Sequence, residues 1–230
     1  SRGGSLVTTQ VVPAGQSTNE DTSRVFSSGN GNAISVSDTD STFLTVTLAA
    51  TNGTLTLASL AGLNFTSGDG GSDATMTFRG TAANINAALN GLSFTPSDSF
   101  NGAASLSVST NDGFATDTDT VAITVAAVND GPTLSAPAGF TVTEDVAGNL
   151  VYTGTPFGDL DGDTLTVTLS IAEGTISGAA GTGITIGGTA TARTFTGTVA
   201  DLNAYFTTAG KITYTTAQDS TTSPTLTTQV

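Results

Sequence analysis

Along residues 43–48 apolar and hydroxyl side chains alternate: Leu44, Val46 and Leu48 fall on one face of an extended chain, Thr45 and Thr47 on the other. A period of two marks a strand with one buried and one wet face, the usual state of an antiparallel sheet. Similar short runs occupy residues 6–12, 24–26, 33–36, 54–57, 75–78, 92–95, 105–109 and 120–125. Turn clusters such as Ser67-Gly68-Asp69-Gly70-Gly71 and Asn111-Asp112-Gly113 separate them. Many short strands between Gly- and Asx-rich turns predict a β-sandwich. Two segments break the pattern. Residues 81–91 carry a Thr81 cap, Ile85 and Leu89 four apart, and Gly91 as a stop; residues 198–206 carry Thr198, with Leu202 and Phe206 four apart. Both predict a short helix plugging the end of a sandwich.

The same text is written twice. Pro13-Ala14-Gly15 and Glu20-Asp21 recur 124 residues later as Pro137-Ala138-Gly139 and Glu144-Asp145. Residues 44–48 (LTVTL) recur 121 residues on, at 165–169, and Gly91-Leu92-Ser93-Phe94 matches Lys211-Ile212-Thr213-Tyr214 at 120. A drift of a few residues is what loop insertions between two copies of one module produce. The expected organisation is an N-terminal extension at 1–8, a first repeat at 9–131 and a second at 132–230, with Val128-Asn129-Asp130-Gly131-Pro132 as the hinge. By the 120-residue offset Leu226 stands for Leu106, so residues up to Val230 reach only the penultimate strand. The counterparts of residues 111–127 are missing. The fold expected is all-β: two tandem Greek-key β-sandwich modules, each with one short helix, the second lacking its final strand and truncated or completed in trans. An open edge of this kind is association-prone. One route to a head-to-tail, self-associating filament would be donation of residues 1–8 together with 9–12, although Thr8, Thr9 and Gln10 interrupt the apolar alternation such a donor needs.

Charge narrows the partners. Nineteen acidic residues against five basic ones give a net charge of −14, which repels nucleic acid and anionic membranes and favours divalent cations. The chain has no His, Cys or Trp. Thiol and Ser/His/Asp catalysis are therefore excluded, no phosphate-cradling loop with its lysine is present, and no enzyme is expected. No apolar run approaches the ~20 residues of a membrane helix. Richness in Thr, Ser, Asn, Gly and Ala with an acidic balance points to a secreted or cell-surface protein.

Candidate chemistry lies in the acidic loops. Asp159-Leu160-Asp161-Gly162-Asp163 sets three carboxylates at alternate positions around a glycine, an arrangement that lets oxygens converge on a hard cation. It is not an EF-hand, lacking the Glu twelve residues from the first ligand. Asn129 and Asp130 of the hinge and Glu20 of the first opening strand add further oxygens.

The segments Asn19-Glu20-Asp21, Phe94-Thr95-Pro96, Phe100-Asn101-Gly102, Asn111-Asp112-Gly113 and Val128-Asn129-Asp130-Gly131-Pro132 resemble the cadherin-like, immunoglobulin-like tandem repeats of large bacterial surface adhesins. The resemblance spans nearly the whole chain, twice. It implies Ca²⁺ between consecutive modules, held by an early Glu of the upstream module, the Asn-Asp linker and an Asp-x-Asp loop downstream: Glu20, Asn129, Asp130, Asp159 and Asp161, with Asp163 as an additional ligand. The family's second upstream acidic motif has no match, leaving the number of ions open. Asp38-Thr39-Asp40 takes the place of Asp159 and Asp161 in the first copy but lacks an upstream linker; Asp117, Asp119, Glu144 and Asp145 read as solvated. The function implied is a non-enzymatic extracellular adhesion module, a calcium-stiffened stalk or self-assembling filament of a bacterial surface or biofilm-matrix protein. Its partners would be neighbouring repeats or further copies. The alternative is a calcium-dependent carbohydrate-binding module for exopolysaccharide, for which the only Tyr platforms are Tyr152, Tyr205 and Tyr214.

Overall fold

The computed structural model describes residues 8–230 and divides into two compact units after Val128. Residues 1–7, most of the expected N-terminal extension, lie outside the described part.

Unit 1 contains β1 (Thr9–Val11), β2 (Gln16–Asn19), β3 (Arg24–Phe26), β4 (Ser35–Ser37), β5 (Leu44–Thr51), β6 (Gly53–Thr56), β7 (Asn64–Ser67), β8 (Thr75–Gly80), α1 (Ala82–Leu89), β9 (Leu92–Pro96), β10 (Gly102–Asn111) and β11 (Thr116–Ala126). A six-stranded sheet runs β2-β11-β10-β5-β8-β7; the other layer is β3-β9-β6, with β1-β4 as a separate pair. The alternation read in the sequence decides which side chains enter the core: Leu44, Val46 and Leu48 of β5 are fully buried, and so are Leu106 and Val108 of β10. β11 inserts Val121, Ile123 and Val125 between exposed neighbours. It pairs antiparallel with β10 over Thr116–Val125 and parallel with β2.

The expected helix forms. The Thr81 hydroxyl accepts the N–H of Asn84 (3.3 Å), and Ile85, Ala88 and Leu89 pack inward. Gly91 stops it at φ 118°, where its N–H donates to the Phe26 carbonyl at 2.7 Å. That backbone is rare for an L-residue, and a Cβ there would also stand 2.9 Å from the Ala58 Cβ.

Unit 2 contains β12 (Thr133–Leu134), β13 (Gly148–Asn149), β14 (Phe157–Gly158), β15 (Leu165–Ser170), β16 (Thr175–Gly178), β17 (Thr185–Thr189), β18 (Ala192–Gly197), α2 (Val199–Phe206), β19 (Ile212–Thr215) and β20 (Thr227–Gln229). Its sheets are β17-β18-β15-β20, β13-β19-β16 and β12-β14. The first reproduces β7-β8-β5-β10 in order and in register: Thr168 stands opposite Gln229 as Thr47 stands opposite Ser109. The places of β11 and β2 are not taken by any strand among the described residues. Where unit 1 packs mostly aliphatic side chains, unit 2 centres on Phe206, which meets Tyr152, Phe157 and Phe195 edge-on at 5.0, 4.8 and 5.3 Å.

The vacant place has local consequences. Residues 140–143, the counterparts of β2, form no strand, and neither do residues 222–226, the counterparts of the first half of β10. In unit 1, Gly102–Ala104 find their strand partners on β11 alone, so without that neighbour the extended ladder has nothing to close on.

Of residues 9–12, placed in the first repeat with strand donation as one route, Thr9–Val11 form β1. β1 pairs antiparallel with β4. Gln10 is only 7% exposed; its amide donates to the Val108 carbonyl and to Asp119 Oδ2, both at 3.0 Å, and accepts from the Thr110 hydroxyl at 2.9 Å. The polar residue that breaks the apolar alternation is a buried anchor.

Candidate functional site

Three carboxylates meet at one end of unit 1. Asp38 follows β4 and Asp112 sits in the β10–β11 turn; the Thr8 hydroxyl before β1 donates to Asp38 Oδ2 at 3.3 Å. Asp38 Oδ1 accepts the N–H groups of Asp40 (2.9 Å) and Ser41 (2.6 Å). Asp112 Oδ1 accepts those of Ala115 (2.6 Å) and Phe114 (2.7 Å). These backbone donors favour the charged form and hold both carboxyls below the usual Asp range. Asp40 is pushed the other way, first by its side-chain hydrogen bond with Asp38, then by burial and by the charges of Asp38 and Asp112. Asp112 is 8% exposed, and its Oδ2 is buried with no hydrogen bond of good geometry among the described residues, although the Thr8 hydroxyl also helps to lower its carboxyl. A buried anionic oxygen left unpaired is costly unless something positive faces it.

At the junction each unit holds its own part of the expected ligand set. In unit 1, Glu20 is 4% exposed, its Oε1 accepting the Val128 N–H at 2.5 Å while its own N–H donates to the Ala126 carbonyl at 2.9 Å. In unit 2, the Asp130 N–H donates to Asp161 Oδ2 (2.6 Å) and the Asp163 N–H to Asp159 Oδ1 (2.9 Å). The Asn129 amide turns to the Asp130 carbonyl at 3.1 Å. The linker backbone and the Asp159–Asp163 loop are thus adjacent within unit 2.

The acidic triple whose oxygens come closest lies elsewhere. Among the described residues, Glu144, Asp145 and Asp219 place one carboxylate oxygen each within 4.8 Å of one another, all exposed, and could hold a metal ion. Asp145 and Asp219 both have positive φ, 54° and 55°, as do their counterparts Asp21 (55°) and Ser99 (53°). In unit 1 the Ser99 N–H donates to Asp21 at 3.0 Å; replacing that serine by Asp219 in the second copy completes the triple. Sequence reading missed Asp219, although the 120-residue offset places it on Ser99. It ranked Asp38 and Asp40 low for want of an upstream linker; the neighbour the fold gives them is Asp112, distant in sequence. Asp117 and Asp119, read as solvated, hold the Gln10 backbone and side chain.

Unit 2 also carries a groove of ≈700 Å³ between residues 136–142 and 220–226, floored by Leu150, Tyr152 and Ile171. The Tyr152 hydroxyl is hydrogen-bonded to that of Thr228 at 2.6 Å, and burial pushes its phenol above the usual range. Tyr205 and Tyr214 are buried with it, which withdraws all three tyrosines as sugar-stacking platforms; the aromatic ring most open to solvent is Phe114. Among the described residues no helix is long and apolar enough to cross a membrane.

No family model matches this sequence and no curated protein matches it. Among solved structures it is similar to an endo-fucoidan hydrolase, MfFcnA4 H294Q of glycoside hydrolase family 107: 20% identity and a TM-score of 0.32, over 99% of this chain but 29% of that one. The C-terminal domain of the antigen I/II polypeptide BspA of Streptococcus agalactiae aligns at 11% identity over 90% of this chain and 88% of its own, TM-score 0.27. That of AspA of Streptococcus pyogenes aligns at 8% over 93% and 92%, TM-score 0.30. The chain spans under a third of the hydrolase it matches. Likenesses at this level carry no functional argument.

Proposed function

We propose that this chain is a non-enzymatic pair of β-sandwich modules from an extracellular adhesive or matrix array, in which calcium held by acidic loops stiffens the modules. The observation that carries the reading is the buried Asp112 Oδ2, without a hydrogen bond of good geometry, beside Asp38 and Asp40. Three carboxylates and no nitrogen or sulfur ligand suit a hard cation. Asp130, Asp159, Asp161 and Asp163 in unit 2 supply oxygens of the same kind, and the resemblance to cadherin-like surface repeats implies calcium at that set. Weak affinity, in the range of about 10⁻⁴ to 10⁻³ M, is expected of extracellular modules.

The test is thermal melting in millimolar calcium and in chelator. A cation bound only by the folded state raises the midpoint by mass action, here on the order of 5 °C or more. Asp112→Asn is expected to remove the increment from the unit 1 transition while leaving that of unit 2. Identical midpoints in calcium and chelator would sink the cation reading.

A further inference from the structure

The opening and closing segments of unit 1 are tied to each other at a nearly constant offset. The Gln10 N–H donates to Asp117, 107 residues on, and its side-chain amide to Asp119, 109 residues on. Across Pro13, which has no N–H to give, the backbones stay adjacent: a Cβ on Gly15 would stand 3.6 Å from the Ala122 carbonyl oxygen. β2 then pairs with β11 from Gln16↔Ile123 to Asn19↔Ala126. Glu20 finishes the run, its N–H donating to the Ala126 carbonyl and its Oε1 accepting the Val128 N–H, 108 residues on. A near-constant offset means that the two segments run parallel from Gln10 to Glu20.

That direction decides how the unit meets tension. The chain enters unit 1 at the start of this pair and leaves it at Val128, at the far end. A pull on those two ends draws parallel strands past each other along their own axes. Every tie is then strained at once, whereas strands whose pulled ends lie side by side open one tie at a time. Glu20, 4% exposed, holds the exit, where water has little access to compete for its bond with Val128. Gln10, 7% exposed, holds the entry, its side chain also bonded to the Val108 carbonyl and the Thr110 hydroxyl. Buried side-chain bonds thus close both ends of the pair, where strands otherwise fray first.

We propose that unit 1 is a tension-bearing link whose mechanical clamp is residues 10–20 against 117–128, locked at one end by Gln10 and at the other by Glu20. The proposal rests on reading the chain as part of an array, in which each module passes a pull to the next, and not on the cation. Unfolding under force is governed by the rate of crossing the barrier. Here that barrier is the concerted rupture of the clamp, which precedes opening of the core. Stability without force draws on every contact of the unit; strength under tension draws on these few.

The experiment stretches single molecules of the full chain, in chelator, from N- to C-terminus. Unit 1 is recognised by its longer release of chain, residues 1–128 against 129–230. The chain has no Cys, so Phe114→Cys, on a side chain 81% exposed just before β11, provides a unique second handle. Pulling from the N-terminus to that handle opens the same clamp from one end, and the unfolding force is expected to fall at least about twofold. Glu20→Ala and Gln10→Ala are each expected to speed N-to-C forced unfolding at least about tenfold. Thr81→Ala, which removes a helix cap outside the clamp, is expected to lower the melting midpoint while leaving that rate within about twofold. Equal forces in the two pulling directions overturn the proposal, and so does a Thr81→Ala effect as large as that of Glu20→Ala. Should either clamp variant fail to fold, the two directions compared on the otherwise unaltered chain still decide. A melt indifferent to calcium would end the cation reading and leave the clamp standing.

Discussion

The Asp40 carboxyl is pushed above its ordinary range, first by its side-chain hydrogen bond with Asp38, then by burial and the charges of Asp38 and Asp112, so its ionised form works against its neighbours without a cation. The signs can be separated by pH. Asp38 and Asp112 lie below their ordinary value of 3.8; the stability they lend is complete above it and is lost as pH falls through their lowered folded values. Asp40 is raised, so its cost sets in as pH rises through the carboxylate range and is relieved by protonation. Asp40→Asn is therefore expected to raise the unit 1 midpoint in chelator above about pH 4 and to shrink the increment produced by calcium. A melt series from pH 2 to 6, with and without calcium, reads both effects, and a lower midpoint in chelator would contradict the account. Gly91 gives a cleaner case. Any side chain there is strained at φ 118° and crowds Ala58, so Gly91→Ala should cost about 1–3 kcal/mol in urea unfolding. None of this except the glycine stop was legible in the sequence. Asp38 and Asp112 are 74 residues apart, and only the tertiary fold makes them neighbours.

Elements were more legible than residues, because their determinants are local. Thr81 and Thr198 cap α1 and α2 as the sequence pattern requires, each accepting a backbone N–H of the first turn. Thr81→Ala and Thr198→Ala should each cost about 1 kcal/mol, and a cost near zero would mean that packing alone ends the helices. Strand lengths behaved differently. Residues 102–104 and 222–224 hold matching places in the two copies, yet only the former are extended in a ladder. Amides at 222–226 should exchange much faster than those at Ser105–Val108, which are hydrogen-bonded between strands on both sides. Equal protection would show that the open edge is closed by something else.

For the whole chain, the duplication has an energetic consequence. The buried apolar residues form two clusters with no member in common, one aliphatic-rich and complete, the other aromatic and open along one side. Unit 2 leaves apolar surface wet that unit 1 covers with β11, and covering such surface is worth roughly 25 cal/mol per Å². Two unfolding transitions are therefore expected by calorimetry, with unit 2 melting first, and a chain ending at Val128 should retain the higher one. A single transition lost on truncation would refute that order.

The sequence by itself determined the period-two strands, the two capped helices and the tandem duplication. All of these follow from side chains a few residues apart or from comparing one copy with the other. Only the tertiary structure decided which carboxylates stand together, that Gln10 is a buried anchor, and that unit 2 carries an apolar-floored groove lined in part by Glu144. Those features depend on groups brought together across tens of residues, where burial and unpaired hydrogen-bonding atoms assign the roles that local pattern leaves open.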